Sequence, residues 1–272
     1  MKIKPQVALA VLVAALALPA ASSFAEETTE QGIAQYRQML GDDNPADLWE
    51  ARGEGLWKAP RGPNKISLEH CDLGLGPGVL KGAYAQLPKY FADTDRVQDL
   101  ESRLVTCMTG LQGMTVAEAE KNKFGNGESR KSDLEALSAF VVAQSRGIAV
   151  HVSLDHPKER QAYEIGKQTF YYRAGPYDFS CASCHGQPGK RIRLQDLPDL
   201  TTAKGAQTAY TTWPGYRVSQ GELRTMEWRL NDCFRQQRFP DLKYGSDTAI
   251  ALTMYLARTA DGGVMNAPAL KR

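Results

Sequence analysis

The chain repeats itself at domain length, which restricts it to folds made of two copies of one architecture. Tyr84-Ala85-Gln86-Leu87-Pro88-Lys89-Tyr90 returns as Tyr210-Thr211-Thr212-Trp213-Pro214-Gly215-Tyr216. At the same offset of 126 residues, Glu101-Ser102-Arg103-Leu104-Val105-Thr106-Cys107 returns as Glu227-Trp228-Arg229-Leu230-Asn231-Asp232-Cys233. Upstream, an offset of 113 sets Gly53, Trp57, Gly62 and Pro63 on Gly166, Phe170, Gly175 and Pro176, and Cys71 on Cys184. Solenoid periods are ~20 to 50 residues, so this spacing reads as duplication of a whole domain.

Chemistry enters at Cys181-Ala182-Ser183-Cys184-His185, a C-x-x-C-H stretch in a chain of only five cysteines. Two thiols at that spacing can form thioethers to the vinyl groups of a haem, and the next residue is the histidine that ligates its iron. A zinc site would need a second Cys/His pair, and a thioredoxin-like site a βαβ pattern; neither is present. The first copy has Leu68 and Asp72 where the second has Cys181 and His185, so its haem site is lost.

Export is expected from the N-terminus. Lys2 and Lys4 precede an apolar run from Val7 to Leu18, and Ser23-Phe24-Ala25 forms a small-x-small cleavage site, giving a signal peptide over residues 1–25. The run is too short for a membrane span, and the compartment expected is the periplasm, where disulfides and C-x-x-C-H attachment belong. Removing Lys2 and Lys4 from 33 basic residues leaves 31 against 31 acidic ones, so no bulk charge points to nucleic acid or an anionic membrane. Residues 26–150 and 151–272 are each of ordinary domain length.

The patterning predicts a mainly α chain of two tandem cytochrome c-like domains, the first without haem. Pro157 can open a helix that runs through Tyr163, Ile165 and Phe170. Leu223, Met226, Leu230 and Cys233 form one helical stripe, as do Val97, Leu100, Leu104 and Cys107. Ser132 with Glu135 forms a capping box, and Ser246 can cap a helix over 248–257. Residues 118–132 read as a surface loop, and 148–152 as a short strand or a linker.

The duplication then sorts the sulfurs. Cys71 and Cys107 face the same emptied pocket and can close on each other, a 36-residue bridge that contributes ~3 to 4 kcal/mol by chain entropy. Cys233 is left without a partner thiol. Such a cysteine is ordinarily a buried inert side chain, but this one lies on the inward stripe of a haem domain that needs an axial ligand. Arg229, one helical turn earlier, supplies the positive charge that favours a thiolate and a planar fork that can hold a sulfur oxyanion; its ordinary alternative is pairing with Glu227 or Asp232. Arg235 and Arg238 add basic charge nearby, each also explicable as solvated surface.

The haem motif, the R-L-x-x-C helix in both halves and the degenerate first haem site resemble SoxA, the larger cytochrome subunit of the SoxAX complex of bacterial sulfur oxidation, from about Gly53 to the end. The resemblance implies the single-haem form with a disulfide in the first domain. It further implies an L-cysteine S-thiosulfotransferase that oxidatively couples thiosulfate to a cysteine of the carrier protein SoxYZ, with SoxX as heterodimer partner. One haem c would be bound through Cys181 and Cys184 with His185 and Cys233 as axial ligands. Cys233 would also be the catalytic centre, cycling through a persulfide, with Arg229 binding the substrate.

Other readings are an electron-transfer cytochrome with Met226, Met254 or Met265 on the iron, a tetrathionate-forming thiosulfate dehydrogenase, and a haem-bearing docking subunit. His70, His151 and His156 are read as surface or structural residues, their irregular spacing giving only weak grounds for copper.

Overall fold

The computed structural model describes residues 31–32, 35, 44–121, 132–192 and 195–271. The leader expected over 1–25 and residues 122–131 of the expected loop lie outside the described residues. The first copy runs α1 (Ala46–Lys58), β1 (Lys89–Phe91), β2 (Arg96–Gln98), α2 (Leu100–Gly110), the short α3 (Val116–Ala119) and α4 (Asp133–Ala143). The second runs α5 (Pro157–Tyr171), α6 (Cys181–His185), β3 (Arg191–Ile192), β4 (Gln195–Asp196), α7 (Ala203–Tyr210), β5 (Gly215–Arg217), β6 (Glu222–Arg224), α8 (Met226–Gln236), α9 (Asp247–Thr259) and β7 (Ala269–Lys271). This is a mainly helical chain of two tandem cytochrome c-like units.

Each unit is built around one close helix crossing. In the first, α1 meets α4 at Gly53, where a Cβ would lie 2.0 Å from the carbonyl oxygen of Ala136. In the second, α5 meets α9 at Gly166, where a Cβ would lie 1.9 Å from the carbonyl oxygen of Ala251. Glycine costs helix stability, and here that cost permits backbone contact that no side chain allows. One turn on, Trp57 tilts against Phe140 at 6.2 Å and its counterpart Phe170 against Tyr255 at 5.0 Å.

Two short hairpins, β1 with β2 and β5 with β6, stand just ahead of α2 and α8. Val97 and Leu223, expected on the helical stripes, therefore lie in strands. Asp99 and Thr225 hold extended backbone and accept hydrogen bonds from the amides of Ser102 and Trp228, so neither helix can begin before residue 100 or 226. The parallel strand β7 completes a three-stranded sheet, β6-β5-β7. Residues 148–152 form a linker with a single antiparallel bridge, Ala149 to Val264, rather than a strand; the Ile148 carbonyl accepts the Met265 amide, and the Val150 amide donates to the Gly263 carbonyl. Ser132 accepts the amide of Glu135, but the return half of that capping box is not made: the Glu135 carboxylate goes to Arg224 of the other unit at 3.1 Å. Cys71 and Cys107 are joined by a disulfide at the centre of the first unit.

The units meet about a local pseudo-twofold axis made of equivalent residues. Tyr84 and Tyr210 stack with ring centroids 6.0 Å apart and an interplanar angle of 2°. Glu101 of α2 and Glu227 of α8, with Asp99 at the start of α2, lie buried within electrostatic reach of one another at this interface. Burial raises the carboxyls of this interface: Glu101 and Glu135 are pushed up to about 8, Glu135 despite Arg224, and Glu227 is raised by burial and then by Asp99. A carboxyl whose folded pKa lies above the usual 4.5 stabilises the fold below that value and loses the contribution as pH rises towards 8. The unfolding temperature is therefore expected to fall as pH is raised from about 5 to about 9, and Glu101→Gln to flatten that slope. A pH series of thermal melts on both proteins measures it, and parallel slopes would be the contrary result.

Candidate haem and sulfur site

The C-x-x-C-H stretch forms the single-turn helix α6 because Ser180 and Ser183 cap it reciprocally: Ser180 Oγ accepts the amide of Ser183 at 3.2 Å, and Ser183 Oγ accepts the amide of Ser180 at 2.9 Å. This single turn packs against α5, with Cys181 and Ala182 resting on the hydrophobic core. The His185 ring is held by Nδ1, 2.9 Å from the carbonyl oxygen of Pro198. A carbonyl only accepts, so Nδ1 carries the proton and Nε2 keeps its lone pair, the tautomer a metal-binding imidazole needs. Burial, and after it the charge of Arg229, lowers the His185 pKa and keeps the ring neutral.

Cys181, Cys184 and Cys233 are the free cysteines among the described residues, and each is half-buried. Burial pushes the Cys181 thiol up to about 12, with Cys233 adding to the rise. Burial also raises Cys233, Arg229 opposes this, and Asp232 and Cys184 add to it. Cys233 on α8 thus lies in electrostatic contact with both cysteines of α6, and Arg229 acts on Cys233 and His185 alike. The donor set suits a c-type haem: two thiols for thioethers, an imidazole with a free Nε2, and a facing thiol beside a guanidinium.

Arg229 pairs with Asp232 at 3.3 Å rather than with Glu227, whose carboxylate instead receives the Gly245 amide at 2.9 Å. Asp232 also accepts from Arg235 and Gln236, both at 2.7 Å, so its charge is shared. Arg238 lies over the Tyr177 ring at 5.8 Å, turned away from this cluster. Met226, Met254 and Met265 are all buried core side chains. His70 and His151 are exposed, while half-buried His156 caps α5 and stacks on Tyr90 at 3.6 Å. Among the described residues no group of three or more His, Cys, Asp or Glu is placed to hold a metal ion, and no helix is long and apolar enough to cross a membrane.

Arg217, on strand β5, was not apparent from the sequence. It is an isolated arginine in a hairpin, and only its counterpart Phe91 in the first copy, a change from ring to charge, could have marked it.

Residues 52–150 and 165–265 match the family described as SoxA/TsdA, cytochrome c domain. The chain is 49% identical to the L-cysteine S-thiosulfotransferase subunit SoxA of Hydrogenophilus thermoluteolus over 99% of both proteins. It is 34% identical to a protein of the same name from Hydrogenobacter thermophilus over 91% of each. Among solved structures, a chain of SoxXA from P. pantotrophus superposes with a TM-score of 0.71 at 26% identity, covering 88% of this chain and 84% of that one. With a family match across both halves of the chain and relatives at 49% and 34% identity over nearly its whole length, this chain belongs to the SoxA family of c-type cytochromes.

Proposed function

We infer that this protein is the SoxA subunit of a periplasmic L-cysteine S-thiosulfotransferase that couples thiosulfate to a cysteine of the carrier SoxYZ. The observation that carries the reading is the convergence of Cys233, Arg229 and His185 with both cysteines of α6. One haem c is bound, through Cys181 and Cys184 of residues 151–272; residues 26–150 form the haem-less domain with its disulfide, and residues 1–25 the cleaved leader. SoxX is the partner subunit, in keeping with the SoxXA relative.

His185, with its free Nε2, and Cys233, with its sulfur, would be the residues that hold the iron. Bound haem supplies a one-electron acceptor beside the sulfur chemistry. Cys233, as thiolate, forms an S–S bond with the outer sulfur of thiosulfate as two electrons are given up to the oxidised acceptor cytochrome, and Arg229 holds the sulfonate end through paired N–H donors. A carrier thiolate then attacks that outer sulfur and Cys233 leaves as thiolate, the exchange common to all disulfide chemistry. Across the cycle one S–S bond forms between carrier and thiosulfate, the carrier thiol loses its proton, and two electrons depart. A Cys233 persulfide forms when the thiolate instead takes the outer sulfur alone, breaking its bond to the sulfonate, which leaves as sulfite.

Incubation of the SoxAX complex with thiosulfate, oxidised acceptor cytochrome and SoxYZ, followed by mass spectrometry of the carrier, tests this. The expected product is a thiosulfate adduct on the carrier cysteine. Tetrathionate made equally well without carrier would mean a thiosulfate dehydrogenase instead.

A further inference from the structure

The duplication provides an internal comparison for Arg229. Its counterpart in the haem-less domain, Arg103, is fully engaged: Nε donates to the carbonyl of Asp72 at 2.6 Å, Nη1 to both carboxylate oxygens of Asp93 at 2.7 and 2.9 Å, and the guanidinium lies 4.0 Å from the centroid of the Phe91 ring. Two of those three partners are changed in the second copy: the carboxylate of Asp93 becomes the hydroxyl of Ser219, and the ring of Phe91 becomes the guanidinium of Arg217. The third is a backbone carbonyl, and its equivalent, that of His185, accepts the amide of Leu200 at 2.9 Å. Among the described residues Arg229 keeps a single partner, Asp232, which two other side chains share. Its side chain is 26% exposed against 6% for Arg103.

Arg217 is itself incompletely satisfied. Its guanidinium lies over the Trp228 ring at 5.4 Å, and its Nε is buried with no hydrogen-bond partner among the described residues. Arg224, on the same ring at 5.0 Å, is committed to Glu135. Arg217 lies within electrostatic reach of Arg229, Asp232 and Cys233. Two guanidinium groups thus act electrostatically on one cysteine, Arg229 from one turn earlier on α8 and Arg217 from the hairpin over Trp228, and the carboxylate that holds Arg103 in the first copy is replaced by Ser219 in the second. A guanidinium nitrogen buried without a hydrogen-bond partner, as Arg217 Nε is, is costly unless an acceptor such as an anion completes it.

We propose that Arg217 is a second substrate-binding residue, forming with Arg229 a two-arginine clamp for a small sulfur dianion at Cys233. This rests on the function proposed above. Thiosulfate carries two negative charges, whereas the adduct on the carrier retains one at its sulfonate, so the clamp holds substrate more strongly than product.

Steady-state kinetics of the SoxAX complex with thiosulfate and SoxYZ test the clamp. Arg217→Gln removes one charge-assisted contact and is expected to raise KM for thiosulfate about tenfold or more, with kcat falling by a smaller factor. Arg217→Lys, which keeps the charge but not the fork, is expected to recover part of that loss. Ser219→Asp leaves both arginines in place but restores the neutralising carboxylate, and is expected to raise KM in the same direction. The haem absorption spectrum should be unchanged in all three. A KM within about twofold of wild type for Arg217→Gln overturns the clamp. If that variant does not fold, the same result for Ser219→Asp does so. Wild-type turnover in Arg229→Gln and Cys233→Ala would instead refute the proposed function, whatever Arg217 does.

Discussion

Replacing Cys233 with alanine is expected to leave haem covalently attached and the fold intact, yet to reduce carrier thiosulfonation by roughly a thousandfold or more, as removal of a covalent nucleophile does. Attachment should survive because it depends on Cys181 and Cys184, held by a turn whose caps are its own serines rather than groups of α8. Stability should change little, since Cys233 is half-buried and the apolar anchors of α8 are Met226, Trp228 and Leu230. A variant that retained wild-type activity would assign the sulfur chemistry to another residue. Mass spectrometry of the variant, alongside the carrier assay, separates lost chemistry from lost haem.

The second large effect is expected at the helix crossings. Gly166→Ala would bring a methyl group against the Ala251 carbonyl, with backbone on both sides and no flexible side chain to yield. The helices must then separate, at a cost of about 3 kcal/mol or more, and α5 moves away from the haem-binding turn. Gly53→Ala should do the same at Ala136 in the first domain without affecting haem content. Gly55, two residues further along α1, has open space where a methyl group would stand, with nothing within 4 Å, and Gly55→Ala should stabilise by about 0.5 to 1 kcal/mol through helix propensity. Thermal melts of the three variants, with haem quantified by absorbance, provide the comparison. Equal behaviour of Gly53→Ala and Gly55→Ala would contradict the crossing as the origin of the effect.

What was legible in the sequence followed the repeat. Gly53 and Gly166 stand out as a matched pair because backbone contact tolerates no other residue, and Pro157, Ser132 and Ser246 mark helix starts through their own local chemistry. The hairpins were not legible. Strands of three residues are too short for an alternating pattern, and Val97 and Leu223 continued a helical spacing that Asp99 and Thr225 interrupt with extended backbone. The interface between the copies was hidden for a different reason. Glu101, Glu135 and Glu227 resemble ordinary solvated helix carboxylates until the second unit covers them, and nothing local predicts that Glu135 will leave its own cap for Arg224. At the sulfur site, Cys233 and Arg229 could be singled out by counting thiols and following the helical turn. Arg217 comes from a strand sixteen residues earlier in the chain, and only tertiary structure brings it to them.

If Cys233, as a thiolate opposite His185, is both iron ligand and reactive sulfur, the ferric haem must carry the mark of that sulfur. The electron paramagnetic resonance and near-infrared absorption of the purified ferric protein, recorded together for wild type and Cys233→Ala, test it most directly. A low-spin thiolate signature in wild type that vanishes in the alanine variant is the predicted result; a methionine-to-iron charge-transfer band, unchanged between the two proteins, would contradict it.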